Sequence, residues 1–306
     1  MTRSEYFNSI QINSETSSTS GDTIYISKTL IIFDFDDTLF CTKYLDTFSI
    51  PYKDIFNNMI SLEEINPGLV IELKQLENTI LKLFNDLKKK YDIIIISNAE
   101  ITWINNCIAY FFEQLNEYFN ENEIKIYSAK TIFSKLIKDK NKWKIKCFRK
   151  AIKELYKNDL NIDLNVISIG DGIEEKKAVF SLTKNVEFNK IKPKYINMIS
   201  FPSAASIILQ LKYLNNNIDD IILSNKSIYK MVIQIKNDNI EINCVAQKSK
   251  KNENILNKSN NYFSLEENRI FINENYNNAL FYYMLEEEDN KDYLGNKYLK
   301  KKIFYD

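Results

Sequence analysis

The chain has 306 residues, of which 44% are apolar, and its 41 basic and 41 acidic side chains balance to a formal net charge of zero. Such a chain can bury one large core with an appendage, and it has no excess of positive charge that would demand a nucleic-acid partner. It contains no histidine and only five glycines. These absences exclude Ser-His-Asp and Cys-His nucleophiles, histidine-ligated zinc and glycine-rich nucleotide-binding loops.

The cysteines and the N-terminal residues indicate where the protein resides. The four cysteines are scattered and form no C-x-x-C pair, which predicts a reducing, intracellular setting. We expect this compartment to be the cytoplasm. Residues 1–22 are rich in Ser, Thr and Asn and predict a disordered tail without the apolar core of a signal peptide. No apolar run approaches the ~18 residues of a membrane span, so we expect no membrane partner.

From residue 23 to residue 225, apolar strands alternate with amphipathic helices. Such alternation predicts an α/β domain with a parallel sheet covered by helices on both faces. The predicted strands are 29–33, 91–98, 123–129, 165–172 and 195–201, and the predicted helices are 69–90, 100–119, 142–156, 174–185 and 203–214. Residues 226–306 follow a different pattern, which begins with the alternation of a β-hairpin. We expect them to form a small α+β extension of unknown role.

The stretch LIIFDFDDTLF, residues 30–40, ends a buried strand on three carboxylates, Asp34, Asp36 and Asp37. Like charges at this spacing repel one another, and an unpaired buried carboxylate is costly unless a cation or hydrogen-bond donors compensate it. Two carboxylates two residues apart fall on the same side of an extended chain. Asp34 and Asp36 are therefore predicted to act together, whereas alternation turns Asp37 away towards solvent.

Other polar residues follow the remaining predicted strands. In an open parallel sheet, ligands bind beyond the carboxyl ends of the strands, so these residues should meet Asp34 and Asp36. Together they suit phosphoryl transfer: a carboxylate that attacks, one that carries a proton, a hydroxyl and a lysine for the phosphoryl oxygens, and oxygen ligands for magnesium. The candidates are Ser97 and Asn98, a lysine near residue 142, and Asp171 with Glu175.

The segments DFDDTL, IIIISN, a following lysine and SIGDGIEE resemble, in this order, the four motifs of the haloacid dehalogenase superfamily in its phosphatase branch. The resemblance covers roughly residues 28–215 and implies a doubly wound, Rossmann-like core. Members of this superfamily often insert a cap domain after the first motif. Here only about thirty residues remain between Thr38 and the helix predicted at 69–90, enough for a flap but not for a helical cap. We therefore expect little or no cap.

The resemblance also implies roles for individual residues. Asp34 is the nucleophile that forms an aspartyl-phosphate, Asp36 is the general acid and base, and Thr38 supports the substrate-binding loop. Ser97, with its neighbour Asn98, binds the substrate phosphate. Asp171 binds Mg²⁺ together with Asp34 and the backbone carbonyl of Asp36.

Two positions depart from the commonest pattern of the superfamily. Glu175 stands where many members have an aspartate, so it is either a direct magnesium ligand or a partner of one. The lysine is ambiguous among four residues, and we favour Lys144 because it lies in the first turn of a helix after Trp143. The other three are Lys140, Lys142 and Lys146.

These residues predict a magnesium-dependent phosphatase that hydrolyses phosphomonoesters. The alternative is an inactive phospho-binding or regulatory protein that keeps the pocket without turnover. A receiver-like phosphoacceptor is disfavoured, because no isolated aspartate ends a later strand. A site without a cap is compatible with a phosphoprotein or another bulky phosphoester, although this expectation rests on analogy.

Overall fold

A computed structural model describes residues 26–157, 162–184, 190–236 and 239–247. Within these ranges the chain forms seven strands and ten α-helices. The strands are β1 (Ile26–Phe33), β2 (Asp92–Ser97), β3 (Lys125–Ser128), β4 (Ile162–Gly170), β5 (Lys190–Asn197), β6 (Ile228–Lys236) and β7 (Asn239–Ala246). The helices are α1 (Thr42–Asp46), α2 (Tyr52–Phe56), α3 (Leu62–Ile65), α4 (Pro67–Lys88), α5 (Ile101–Phe111), α6 (Glu113–Glu121), α7 (Ala129–Phe133), α8 (Trp143–Tyr156), α9 (Ile173–Ser181) and α10 (Ala204–Leu223). The tail predicted at residues 1–22 lies outside the described residues.

All seven strands join one sheet in the order β3-β2-β1-β4-β5-β6-β7. Strands β1 to β6 are parallel, and β7 alone runs antiparallel to its neighbour β6. In chain order, β2 and β3 lie on one side of β1, and β4 then pairs with the other side of β1. This reversal opens a crevice at the carboxyl ends of β1 and β4, where open α/β sheets bind their ligands. The prediction of an α/β fold with a mostly parallel, Rossmann-like sheet is confirmed at this level.

The sheet is covered by helices on both faces because apolar side chains of its central strands alternate between two cores. In β1, Ile31 and Phe33 belong to one core, which contains α4 and α10, whereas Leu30 and Ile32 belong to the other, which contains α8 and α9. Side chains two residues apart on a strand share a face, so a continuous apolar run fills both cores.

Three predicted boundaries are wrong. The helix predicted at 100–119 is two helices, because Phe112 leaves the helical conformation (φ −136°, ψ 64°) and is fully buried beside Phe40, with ring centroids 5.6 Å apart. The strand predicted at 195–201 runs from Lys190 to Asn197 instead. The helix predicted to end near residue 214 continues to Leu223, with buried residues along its whole length.

The segment between β1 and α4, in which we expected a flap, contains the three short helices α1, α2 and α3. Each contributes one buried apolar side chain to the core, Leu45, Ile55 and Leu62 respectively. Asn66 then caps α4 by accepting hydrogen bonds from two backbone N–H groups of its first turn. The segment is therefore packed onto the domain rather than folded as a separate unit.

The hairpin predicted after residue 226 is present as β6 and β7, but it belongs to the core sheet. β6 pairs in parallel with β5, Tyr195 facing Ile228 in the register, and Tyr229 and Met231 are buried in the core. The expected extension therefore begins with two strands that join the sheet. Residues 248–306 lie outside the described residues.

Candidate active site

The loop after β1 fixes Asp34 at the carboxyl edge of the sheet. The Asp34 backbone N–H donates to the carbonyl of Ile169 at 2.9 Å, which carries the β1–β4 pairing one residue beyond the strand. The chain then turns back, and the carbonyl of Phe35 accepts hydrogen bonds from Leu39 (2.9 Å) and Phe40 (3.0 Å). The Asp34 side chain is thereby buried in the crevice at the point where the strand order reverses.

Lys144 is the lysine that reaches Asp34. Its ammonium lies 2.8 Å from Asp34 Oδ1 and also contacts Glu175 Oε1. Lys144 is only 2% exposed, whereas the other three candidates, Lys140, Lys142 and Lys146, are exposed. Burial alone would lower the pKa of Lys144, but the two carboxylates outweigh it and raise the pKa above its ordinary value. Lys144 is therefore a permanent positive charge beside Asp34.

The two carboxyl groups that contact Lys144 have pKa values shifted in opposite directions. Burial raises the pKa of Asp34 well above its ordinary value, against the opposing effect of Lys144. Burial also acts on Glu175, but the charge and hydrogen bond of Lys144 prevail and lower its pKa. Glu175 Oε2 is buried and has no hydrogen-bond partner among the described residues. The Lys144 ammonium thus contacts both buried carboxylates. Glu175 Oε2 can still accept a hydrogen bond or bind a ligand.

The glycines of the GDG sequence are required by Glu175. A Cβ atom on Gly170 would lie 2.7 Å from Glu175 Cγ and 3.2 Å from Asp34 Cβ, and one on Gly172 would lie 2.6 Å from Glu175 Oε2. A larger residue at Gly170 would require Glu175 Cγ to move, and one at Gly172 would require the Glu175 carboxylate to move. The two glycines therefore allow the carboxylate of α9 to pack directly against the end of β4.

Asp171, between the two glycines, lies at the same edge as Asp34. Burial raises the pKa of its carboxyl group to about 6, although Lys43, 3.5 Å away, opposes the shift. The hydroxyl of Tyr195 lies 2.6 Å from the carbonyl oxygen of Gly172 and 3.2 Å from that of Gly170. Tyr195 therefore holds the loop on both sides of Asp171, a role that no motif in the sequence indicated.

The prediction that Asp37 faces solvent is wrong. Asp37 adopts a left-handed conformation (φ 52°), which breaks the alternation on which the prediction depended, and its side chain is 3% exposed. Its carboxylate accepts the backbone N–H of Lys43 at 3.0 Å and lies 2.7 Å from the Lys43 ammonium. Lys43 also lies over the ring of Phe201, 4.4 Å from its centroid. Lys43 is thus a second cation at the site, and the sequence analysis missed it.

Asp36 is surrounded by hydrogen-bond donors from two other segments. Its Oδ1 accepts from the Thr42 hydroxyl at 2.6 Å and from the Trp103 indole at 3.0 Å. Its Oδ2 lies 3.4 Å from the Ser97 hydroxyl, which in turn accepts the backbone N–H of Ala99. The structure therefore brings Ser97 to Asp36, and Ser97 also forms the local turn expected of a serine at a strand end.

Thr38 and Asn98, the remaining predicted binding residues, carry unpaired polar atoms. Thr38 Oγ1 and Asn98 Oδ1 are both buried and make no hydrogen bond to the described part of the chain. Each follows a strand that ends at this edge of the sheet, β1 and β2 respectively. A buried polar atom without a partner is unfavourable, so both atoms are suited to a ligand or to water.

The residues at this edge fit a magnesium ion in the kind of ligand that they offer. Among the residues that the structure describes, no group of three His, Cys, Asp or Glu side chains is arranged to hold a metal. Magnesium, however, keeps several waters and uses one or two carboxylates together with substrate phosphate. Asp34 and Asp171 supply such carboxylates, and the unpaired Glu175 Oε2 beside them is an acceptor for a ligand or a metal-bound water.

Comparisons of the sequence with protein-family models and with curated proteins found no match. Among the described helices, none combines the length and the apolar character that a membrane crossing requires. A function for this chain is therefore inferred from its own residues.

Proposed function

We propose that this protein is a magnesium-dependent phosphatase that hydrolyses phosphomonoesters through a covalent aspartyl-phosphate on Asp34. The observation that carries the proposal is the ion pair between Asp34 and the buried Lys144, at the carboxyl end of β1 and next to Asp171 at the end of β4. A strand end is a costly place for this many carboxylates unless they have chemistry to perform. The resemblance of the four motifs to the haloacid dehalogenase superfamily supports the same assignment.

In the first half-reaction, an Asp34 oxygen attacks phosphorus, and the bond between phosphorus and the ester oxygen breaks. Asp36 gives its proton to the departing oxygen, so that an alcohol leaves. In the second half-reaction, Asp36 takes a proton from a water molecule as that water attacks the phosphorus of the aspartyl-phosphate. Inorganic phosphate leaves, and the Asp34 carboxylate and the protonated Asp36 are regenerated.

Lys144 has two tasks in this scheme. It neutralises charge on Asp34, which allows a buried carboxylate to stay ionised in part, and it offers N–H donors to the phosphoryl oxygens as negative charge develops on them. The hydroxyls of Ser97 and Thr38 and the side-chain NH2 group of Asn98 are the further donors proposed for the same oxygens. Glu175 keeps the Lys144 ammonium in place from the other side.

The charge of the site argues for a bound cation. The carboxylates of Asp34, Asp37, Asp171 and Glu175 outnumber the two ammonium groups that contact them, so a dianionic phosphate would be repelled. A magnesium ion held by Asp34, Asp171 and the backbone carbonyl of Asp36, with Glu175 as ligand or ligand partner, would offset this charge and polarise the phosphoryl oxygens.

The substrate is proposed only as a class. Between β1 and α4 the chain forms three short helices that pack on the domain, and this arrangement is compatible with an open site for a bulky phosphoester such as a phosphoprotein. A screen of small phosphorylated metabolites against phosphopeptides, with the full chain, would identify the class. Preference for small metabolites would contradict the proposal of a bulky substrate.

The function is tested by hydrolysis of an aryl phosphate and an alkyl phosphate with Mg²⁺ and with EDTA. We expect turnover only with Mg²⁺, no turnover by Asp34→Asn, and a hydroxylamine-sensitive phosphoryl group on the wild-type chain after acid quenching. Asp54→Asn, which changes an exposed carboxylate on α2, is the matched control and should retain full activity. Full activity of Asp34→Asn would refute the nucleophile, and phosphate binding without turnover would assign the inactive phospho-binding alternative.

A further inference from the structure

We propose that Trp103 is a positioning residue for Asp36: its indole N–H and the Thr42 hydroxyl hold one oxygen of the Asp36 carboxylate, so that the other oxygen carries the proton. This inference rests on the proposed function, because it assigns a purpose to the way in which the proton carrier is held. Trp103 belongs to none of the four motifs, and the sequence analysis gave it no role.

The hydrogen bonds around Asp36 distinguish its two oxygens. Oδ1 accepts from Trp103 Nε1 at 3.0 Å and from Thr42 Oγ1 at 2.6 Å. An indole N–H is a donor only, so Oδ1 cannot itself bear a hydrogen that points towards Trp103. Among the described residues, Oδ2 accepts only the longer hydrogen bond of 3.4 Å from the Ser97 hydroxyl. Oδ2 is therefore the oxygen that fewer donors engage, and it lies on the side of the residue proposed to bind phosphate.

The surroundings of Trp103 keep its indole in this orientation. Its ring packs edge-on against Tyr52, with centroids 4.9 Å apart, and against Phe56 and Phe40 at 5.9 and 6.4 Å. Trp103 lies in the first turn of α5, which follows Ser97 at the end of β2 after a short turn. The indole is thus fixed both by the aromatic cluster and by its position at the edge of the sheet.

A purely structural tryptophan would make the same ring contacts, so the test must separate packing from the N–H group. Trp103→Phe keeps an aromatic ring in the cluster and removes the donor. Trp143→Phe is the matched control, because the Trp143 indole N–H also donates to a protein oxygen, the Ile137 carbonyl at 2.7 Å, but away from Asp36. Melting curves of both variants report any loss of packing.

The kinetic readout is the dependence on the leaving group. An alkoxide needs the proton of Asp36, whereas an aryl oxide departs without it. We expect Trp103→Phe to lower kcat on an alkyl phosphate by about 10- to 100-fold, the usual value of a hydrogen bond to a charged group, with KM unchanged. The burst of aryl oxide that reports formation of the aspartyl-phosphate should keep its wild-type rate. Trp143→Phe should change neither.

A second readout needs no change at Trp103 and no activity. The chain has two tryptophans, so its ¹H–¹⁵N spectrum has two indole signals, which Trp143→Phe assigns by removing one of them. Asp36→Asn replaces the carboxyl acceptor by an amide and should shift the Trp103 signal while the Trp143 signal stays in place. An unmoved Trp103 signal would overturn the inference even if Trp103→Phe did not fold.

The outcomes for the inference and for the proposed function are distinct. If the wild-type chain hydrolyses neither ester, the proposed function fails, whatever the variants do. If the wild type hydrolyses both and Trp103→Phe slows the aryl burst as much as it slows the release of alcohol, or loses nothing on the alkyl ester, only the positioning role fails. Loss on the alkyl ester with an unchanged aryl burst, together with the shifted indole signal, supports it.

Discussion

Replacing Lys144 with methionine tests the electrostatic core of the site without reference to activity. The substitution keeps a side chain of similar length and removes the ammonium that, alone among the described residues, contacts the buried carboxylates of Asp34 and Glu175. Removing one partner of a buried ion pair costs about 3–5 kcal/mol, because it leaves an uncompensated charge. Here two carboxylates lose their partner, so we expect a value near the top of that range.

The loss is measured by urea unfolding in EDTA, followed by circular dichroism. A destabilisation of about 3–5 kcal/mol is a large part of the about 5–15 kcal/mol that usually holds a domain together, and it should lower Tm by about 6–20 °C. Lys146→Met is the control, because Lys146 lies on the same helix and is exposed. It should change the free energy of unfolding by no more than about 0.5 kcal/mol.

The effect of Lys144→Met also depends on pH, with a sign that follows from the carboxyl groups. Lys144 lowers the pKa of Glu175, so Glu175 stabilises the wild-type fold above the ordinary carboxyl pKa, and this stabilisation is lost as the pH falls through its lowered pKa. In the variant, the pKa values of Glu175 and Asp34 are both higher than in the wild type, because Lys144 no longer opposes the effect of burial. Both carboxyl groups therefore take up protons at higher pH. The difference between wild type and variant should therefore shrink as the pH is lowered from 7 towards 4. A difference below about 1 kcal/mol at pH 7, or an equal difference at both pH values, would refute the reasoning.

Three further variants test other parts of the site and fold. Asp171→Asn should stabilise the chain in EDTA at pH 7 by about 1–3 kcal/mol, because burial raises the pKa of this carboxyl group to about 6 and its ionised form opposes folding. The same variant should abolish the rise in Tm on adding Mg²⁺, and an undiminished rise would contradict the role of Asp171 as a ligand. Gly170→Ala should lower the free energy of unfolding in urea by about 1–3 kcal/mol, since its Cβ would lie 2.7 Å from Glu175 Cγ. Gly68→Ala is the control and should cost less, because its Cβ would lie 3.2 Å from Asn66 Oδ1, and equal costs would count against the close approach of Glu175. Asn66→Ala should cost about 1 kcal/mol by removing the cap of α4 and leave hydrolysis unchanged, and a loss of turnover in a folded variant would show that the cap matters to the site.

The apolar runs were sufficient to predict the central strands, but not every boundary. β1 was predictable because Leu30 to Phe33 are continuously apolar, as a strand buried on both faces requires. The break between α5 and α6 at Phe112 was not predictable, because none of the residues next to Phe112 in the sequence disfavours a helix. In the structure, Phe112 packs beside Phe40, which is distant in the sequence. The docking of the β6–β7 hairpin was not predictable either, since alternation shows that a strand has an apolar face but not which strand it will pair with.

The meeting of Asp34 and Asp171 was predictable from a rule of position, that residues after parallel strands share one edge of the sheet. Lys144 follows no strand directly, and it was favoured among four lysines for its place in the first turn of a helix. Trp103 obeys no such rule. It reaches Asp36 across 67 residues of sequence, from a helix to which the sequence analysis gave no part in the site. Asp37 was misjudged for a local reason, its positive φ, which a non-glycine residue seldom adopts and a strand pattern does not reveal.

During synthesis, the site residues leave the ribosome well before the sheet that holds them is complete. Asp34 through Glu175 all precede β5, and the outer edge of β5 stays unpaired until β6 emerges. At about 5–20 residues per second, the stretch from Asn197 to Ala246 takes about 2–10 s to translate. Throughout that interval the nascent chain presents an open strand edge, which is a template for pairing with other chains. Slower translation of β6 and β7 would lengthen this exposure, and with it the time in which another chain can pair with the open edge.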